Sequence, residues 1–170
     1  MFRRALLASS IASALAVSAA GSSFAGVLDD AARGTRLTFD DADWVSKTGT
    51  WPLSCIDKVC AGFKCGLEES TDFAGYGEQE MLEDDLLSAT DATVMFDMTQ
   101  VLIPEKRTFG PASGIYWVSL DNEVGEILHY FHIKAPQSGT WVMITCSGKT
   151  RSGKPAYGVV EKLLSGVERY

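Results

Sequence analysis

Three apolar runs separated by turn chemistry stand out in the second half of the chain. GIYWVSL (114–120), EILHYFHI (126–133) and TWVMITC (140–146) are rich in aromatic and β-branched residues, which suit strands. The segment DNEVG (121–125) is a turn signal, and KAPQSG (134–139) is a loop with Pro and Gly. Together they predict an antiparallel meander. In AYGVVEKLLSGVERY (156–170), apolar residues at 159, 160, 163, 164 and 167 have helical spacing. That helix is amphipathic and suited to covering one face of the sheet. Upstream, EQEMLEDDLLSA (78–89) reads as a helix whose first turns crowd acids against the positive end of its dipole. ATVMFDM (92–98), VLI (101–103) and RLTF (36–39) read as strands, and residues 56–77 show no assignable pattern. The expected class is α+β. It is an antiparallel β-meander sheet with an amphipathic C-terminal helix and one further helix, packed on one side and stabilised by disulfides.

The beginning of the chain changes the picture. Arg3 and Arg4 precede a mildly apolar stretch at 5–20, and Ser23-Phe24-Ala25 places small residues at −3 and −1 before Gly26. This is the pattern of a signal peptide over residues 1–25, with Ser18-Ala19-Ala20 as a second cleavage option. The apolar run is too short to span a bilayer. The arginine pair admits a twin-arginine route as well as the general one. The expectation is a periplasmic or secreted protein, residues 26–170 as one domain, with no stable membrane insertion after cleavage.

The whole chain carries a net charge of −7, and loss of the two leader arginines takes it to −9. Residues 26–100 hold 16 acids and 5 bases, whereas residues 101–170 hold 6 acids and 8 bases. The acids gather in FDDAD (39–43), at 68–72 and in EQEMLEDD (78–85). Such a surface repels nucleic acid and anionic lipid and attracts cationic partners at low salt. An ordinary soluble surface has the same look.

Four cysteines, Cys55, Cys60, Cys65 and Cys146, suit an oxidising compartment and pair as disulfides there. Their spacing lacks the close pairs of a zinc site, the Cys-x-x-Cys of a redox centre and the following His of a haem site. The favoured pairing is Cys60–Cys65 closing a hairpin, with Cys55–Cys146. The second is Cys55–Cys65 with Cys60–Cys146. An echo between GTWPLSC (49–55) and GTWVMITC (139–146), each ending at a Cys, leans towards the first.

No catalytic set, cofactor motif or metal motif emerges. Ser147-Gly148-Lys149-Thr150 resembles the end of a phosphate loop, but Met143 stands where that loop requires Gly. Lys149, Arg151 and Lys154 remain as an anion-holding loop before a helix, or a plain solvated one. His129 and His132 are three apart on a strand and so face opposite ways. His129 shares a face with Ile127, Phe131 and Ile133, as a packed and hydrogen-bonded core residue would. There is no G-x-S-x-G turn, and Asp40, Asp41 and Asp43 fit no calcium loop.

Ser113-Gly114-Ile115-Tyr116-Trp117 resembles the Ser-Gly-x-x-Tyr loop of bacterial periplasmic lysozyme inhibitors, with Trp117 in the last place and Tyr116 one place early. Those are small, exported, β-rich proteins that bind basic lysozymes. The resemblance implies an exposed aromatic loop with Ser113, Tyr116 and Trp117 in contact with a cationic enzyme. The plainer reading is the start of a buried strand. The functional expectation is a non-enzymatic binding protein of the cell envelope that inhibits, or gives immunity against, a cationic hydrolase. A small-molecule carrier and a small hydrolase are the alternatives.

Overall fold

The computed structural model describes residues 26–48, 52–60, 62–70, 73–136, 139–149 and 155–170. The expected leader and the pair Arg151 and Lys154 lie outside the described residues. Two antiparallel sheets and two helices make an α+β fold. The strands are β1 (Gly26–Asp30), β2 (Thr35–Phe39), β3 (Trp44–Ser46), β4 (Leu53–Cys55), β5 (Lys64–Ser70), β6 (Met98–Phe109), β7 (Ala112–Asp121), β8 (Glu126–Lys134), β9 (Trp141–Gly148) and β10 (Val167–Arg169). The helices are α1 (Glu78–Met95) and α2 (Tyr157–Leu164). The large sheet has the order β3-β4-β5-β9-β8-β7-β6 and the small one β1-β2-β10.

The expected meander is present as β7-β8-β9, and β6 adds to its outer edge through the tight turn at Gly110. Successive residues of β7 point to opposite faces. Tyr116 and Val118, with Phe131, Ile144 and Cys146, enter the main core beneath β2, β10 and α2. Ile115 lies on the other face with Trp141, under Met81 of α1. The helices therefore cover opposite faces of the large sheet, which corrects the expectation that both pack on one side. A strand apolar on both faces needs a cover on each, and this sheet has two.

Three boundaries also differ from the sequence reading. Residues 92–95 continue α1 rather than starting a strand; the helix stops at Asp97, whose φ of 49° is left-handed. Asn122 Nδ2 donates to the Asp97 carbonyl at 2.7 Å and fixes that stop. The terminal helix ends at Leu164, and Val167 reaches the core as part of β10 beside Leu37. Residues 64–70, unassigned by pattern, form β5, which joins β4 to β9.

The disulfide pairing is neither of the two expected. Cys55 bonds Cys60 and Cys65 bonds Cys146. Strand register decides this: Cys65 sits directly opposite Cys146 in the β5–β9 ladder, with Cα atoms 4.1 Å apart. The Phe63 amide donates to the Cys60 carbonyl at 2.9 Å, closing the turn that brings the chain into β5. With Cys65 already matched across the sheet, Cys55 and Cys60 pair locally.

Candidate functional site

The two histidines report on the two faces. His129 points into the main core, where its Nδ1 lies 2.7 Å from the Tyr116 hydroxyl. Phe63 and Tyr157 meet its ring edge-on. Burial pushes the imidazole down to about 4, and it pushes the Tyr116 hydroxyl far above its ordinary range. Both groups are neutral at pH 7. Arg107, 5.7 Å above the Tyr116 ring, is held by Glu105 and by Glu161 of α2.

His132 points the other way, towards α1. Its Nδ1 is 2.8 Å from Oδ2 of Asp85, and both side chains are buried. The inward stripe of α1 is Met81, Asp85 and Ala89, one residue per turn. An acid thus occupies the centre of the buried stripe. Only Met81, Ala89 and the partly buried Leu82 accompany it inward, and several larger apolar side chains face out. Leu87 is 61% exposed, Val94 78% and Met95 70%, followed by Phe96 at 66%. This helix thus buries one carboxylate among its inward residues and leaves aliphatics on its outward face, a departure from a clean apolar-in, polar-out pattern.

α1 carries six acids and no base. Its start is held by Glu80, whose Oε2 accepts from the Gly77 amide at 2.6 Å, and by Lys106 of β6, which pairs with Glu78 at 3.2 Å. Two grooves run along its outward face. One, of about 350 Å³, is lined by Tyr76, Glu80, Glu83, Asp84 and Leu87. Partial burial, and then the neighbouring Asp85 carboxylate, raise the Asp84 carboxyl above its usual range. The other, of about 270 Å³, lies between α1 and the edge strand β6 and is lined mainly by Leu86, Thr93, Val94, Gln100, Ile103 and Pro104. Gln100 is held from its amide end, Nε2 donating to the Ala89 carbonyl at 3.0 Å.

The residues singled out from sequence lie away from this surface. Residues 113–117 run inside β7 rather than forming a loop. Ser113 accepts a hydrogen bond from Thr108 at 3.4 Å, Tyr116 is fully buried and Trp117 stacks on Tyr130 with centroids 4.1 Å apart. Lys149 is exposed at the end of β9. Asp40 and Asp43 both bind Lys162 of α2, at 2.9 and 2.7 Å. Among the described residues, no group of three or more His, Cys, Asp or Glu side chains is placed to hold a metal ion. No helix among them is long and apolar enough to cross a membrane.

Sequence reasoning missed the outward face of α1. Leu86 and Leu87 are visible as helical leucines, but their direction depends on Asp85 finding His132, 47 residues away.

No protein-family model and no curated protein match the chain. It is similar to a crystal structure of a protein from Bacteroides thetaiotaomicron VPI-5482, at 14% identity and a TM-score of 0.38. The match covers 81% of this chain and 45% of that one, so this chain spans under half the length of the structure it matches. A likeness this distant carries no functional argument.

Proposed function

We propose that this is an exported, non-enzymatic binding protein of the bacterial cell envelope that captures a cationic protein, such as a cell-wall hydrolase. The observation that carries this reading is the mixed acidic and aliphatic outward face of α1. Six acids without a base, and leucine and valine turned to solvent, suit recognition of a basic surface with apolar anchors. Two disulfides fit the oxidising envelope.

The test is affinity capture with oxidised residues 26–170 against envelope extract and a panel of basic cell-wall hydrolases, at low and high salt. The expected result is one basic partner held at low salt and released at high salt. Capture of nothing at low salt, or a binding constant indifferent to salt, overturns the reading.

A carrier role is the second reading, and one observation favours it. Trp117 Nε1 and Thr145 Oγ1 are buried without a hydrogen-bond partner among the described residues. Trp117 faces Tyr130 and Tyr130 faces Thr145 across the β7–β8–β9 ladder, so these groups neighbour one another on one side of the sheet. Buried polar groups left unpaired are costly, and a small polar ligand would satisfy them. Native mass spectrometry of the purified protein decides: a mass increment lost on denaturation supports a carrier, and its absence removes that reading.

The hydrolase reading gains less. Asp85 and His132 form a carboxylate–imidazole pair, but it is buried between helix and sheet, and Asp85 is the ring's hydrogen-bond partner among the described residues.

A further inference from the structure

We infer that the outward face of α1 and the adjoining edge of β6 form a docking surface for one helical segment of a partner protein, an amphipathic helix with an aliphatic stripe flanked by Lys or Arg. This inference rests on the binding-protein reading and specifies the site and the chemistry of its partner.

The occupant follows from three features. First, the two grooves flanking α1 differ in character. The acid-lined groove at Glu80, Glu83 and Asp84 takes cationic side chains, and the groove at Leu86, Val94 and Ile103 takes aliphatic ones. A helix with both on adjoining faces fits across α1, whereas a purely basic or a purely apolar segment fills one groove only. From Leu86 to Val94 the helix rises roughly 12 Å, enough for about two turns of a partner helix anchored at i, i+3 or i+4, and i+7.

Second, the edge of β6 resists extension of the sheet. Pro104 lacks an amide hydrogen, and the β6–β7 register is irregular between Gln100 and Leu102 and again between Leu102 and Glu105. An incoming strand finds an interrupted ladder. Recognition at this edge falls to side chains, and Val101 and Ile103 are the exposed aliphatics there.

Third, charge excludes the other occupants. A second copy placed face to face brings Glu80, Glu83 and Asp84 against their own kind, in a protein already strongly acidic. An anionic lipid surface meets the same repulsion.

The probe is a labelled Leu/Lys peptide with leucines at helical anchor spacing, titrated by fluorescence anisotropy into oxidised residues 26–170. A scrambled peptide of identical composition is the control. Val94→Asp and Ile103→Asp alter exposed side chains, and a urea melt of each confirms the fold. Saturable binding that is weakened at least about tenfold by either substitution, and that the scrambled peptide lacks, is expected. In Glu80→Gln/Glu83→Gln, binding should persist with a shallower salt dependence.

Equal binding of the scrambled peptide, or undiminished binding by both Asp variants, overturns the inference. A salt-insensitive dimer through this face, seen by sedimentation and abolished by Ile103→Asp, overturns the choice of occupant. Running the envelope capture on the same variants separates the two levels. If Ile103→Asp still captures the basic partner, this surface is wrong and the binding function stands. If wild type captures nothing yet binds the peptide in the groove, the surface stands and the envelope partner is wrong.

Discussion

Asp85 of α1 and His132 of β8 meet at 2.8 Å in the buried layer between the helix and the large sheet. The pair is the polar contact at the middle of an otherwise thin interface of Met81, Ala89, Ile115 and Trp141. Because the acid needs the imidazole, the helix settles with that side inward, and Leu86 and Leu87 are left facing out.

Removing either partner leaves the other buried and unsatisfied. Asp85→Ala and His132→Ala should each cost about 1–3 kcal/mol in urea unfolding. The double variant should cost less than the sum of the singles. Amide exchange should rise in α1 before it rises in β7 or β8. Additive costs, or uniform exchange, would show that the pair does not set how α1 docks.

His129 makes stability depend on pH in a defined direction. Its folded value of about 4 lies below the unfolded value of about 6.5, so the unfolded chain takes up a proton that the native chain refuses. Stability is therefore full above about pH 6.5 and falls as pH drops towards 4, by on the order of 3 kcal/mol from this ring. His129→Gln keeps a hydrogen-bonding group opposite Tyr116 but does not titrate. Urea midpoints at pH 7.5 and pH 4.5 should differ less for this variant than for wild type. Equal differences would show that the ring does not carry the effect.

The two disulfides should contribute unequally. Cys65–Cys146 closes a loop with a sequence separation of 81, against 5 for Cys55–Cys60. In the chain-entropy model these are worth about 4–5 and about 2 kcal/mol. Cys65→Ala/Cys146→Ala should therefore lower the urea midpoint clearly more than Cys55→Ala/Cys60→Ala. The reverse ranking would place the stabilisation in local packing of the 55–60 turn.

Gly114 is a position where any side chain is excluded. A Cβ there would stand 2.0 Å from the His132 carbonyl oxygen and 2.9 Å from Ile133 and Phe131 side chains. Since the nearest atom is backbone in the paired strand, relief requires β7 and β8 to part. Gly114→Ala should destabilise by about 1–3 kcal/mol, read from the thermal midpoint. An unchanged midpoint would mean that the two strands yield easily here.

What the sequence disclosed depended on how local the signal was. β7, β8 and β9 are aromatic and β-branched runs divided by Asp-Asn and Pro-Gly chemistry, and each element formed where its own residues ask for it. β5 was invisible because Lys64, Gly66 and Glu68 alternate with only Cys65 and Leu67 facing inward, so it reads as polar coil until β9 pairs with it. Thr93, Val94 and Met95 favour a strand by composition, yet they extend α1, and the stop comes later from Asp97 and Asn122. The helical spacing of 160, 163 and 164 was real, and Val167 continued the apolar pattern in a different conformation. The cysteine pairing and the outward face of α1 followed from register and from the Asp85–His132 contact. Both join residues far apart in the chain, where spacing is silent.

The small sheet has a consequence for the order of events in time. Its central strand β2 pairs with β1 on one side and with β10 on the other, and Thr38 binds the Gly166 carbonyl across 128 residues. A chain that emerges from its amino end makes the β1–β2 hairpin early and leaves β2 with a bare edge until β10 arrives. Closure of that edge is a late, long-range step, of the kind that slows folding. The interval in which β2 waits is when the chain is most open to mispairing, and shielding of that edge would shorten its exposure.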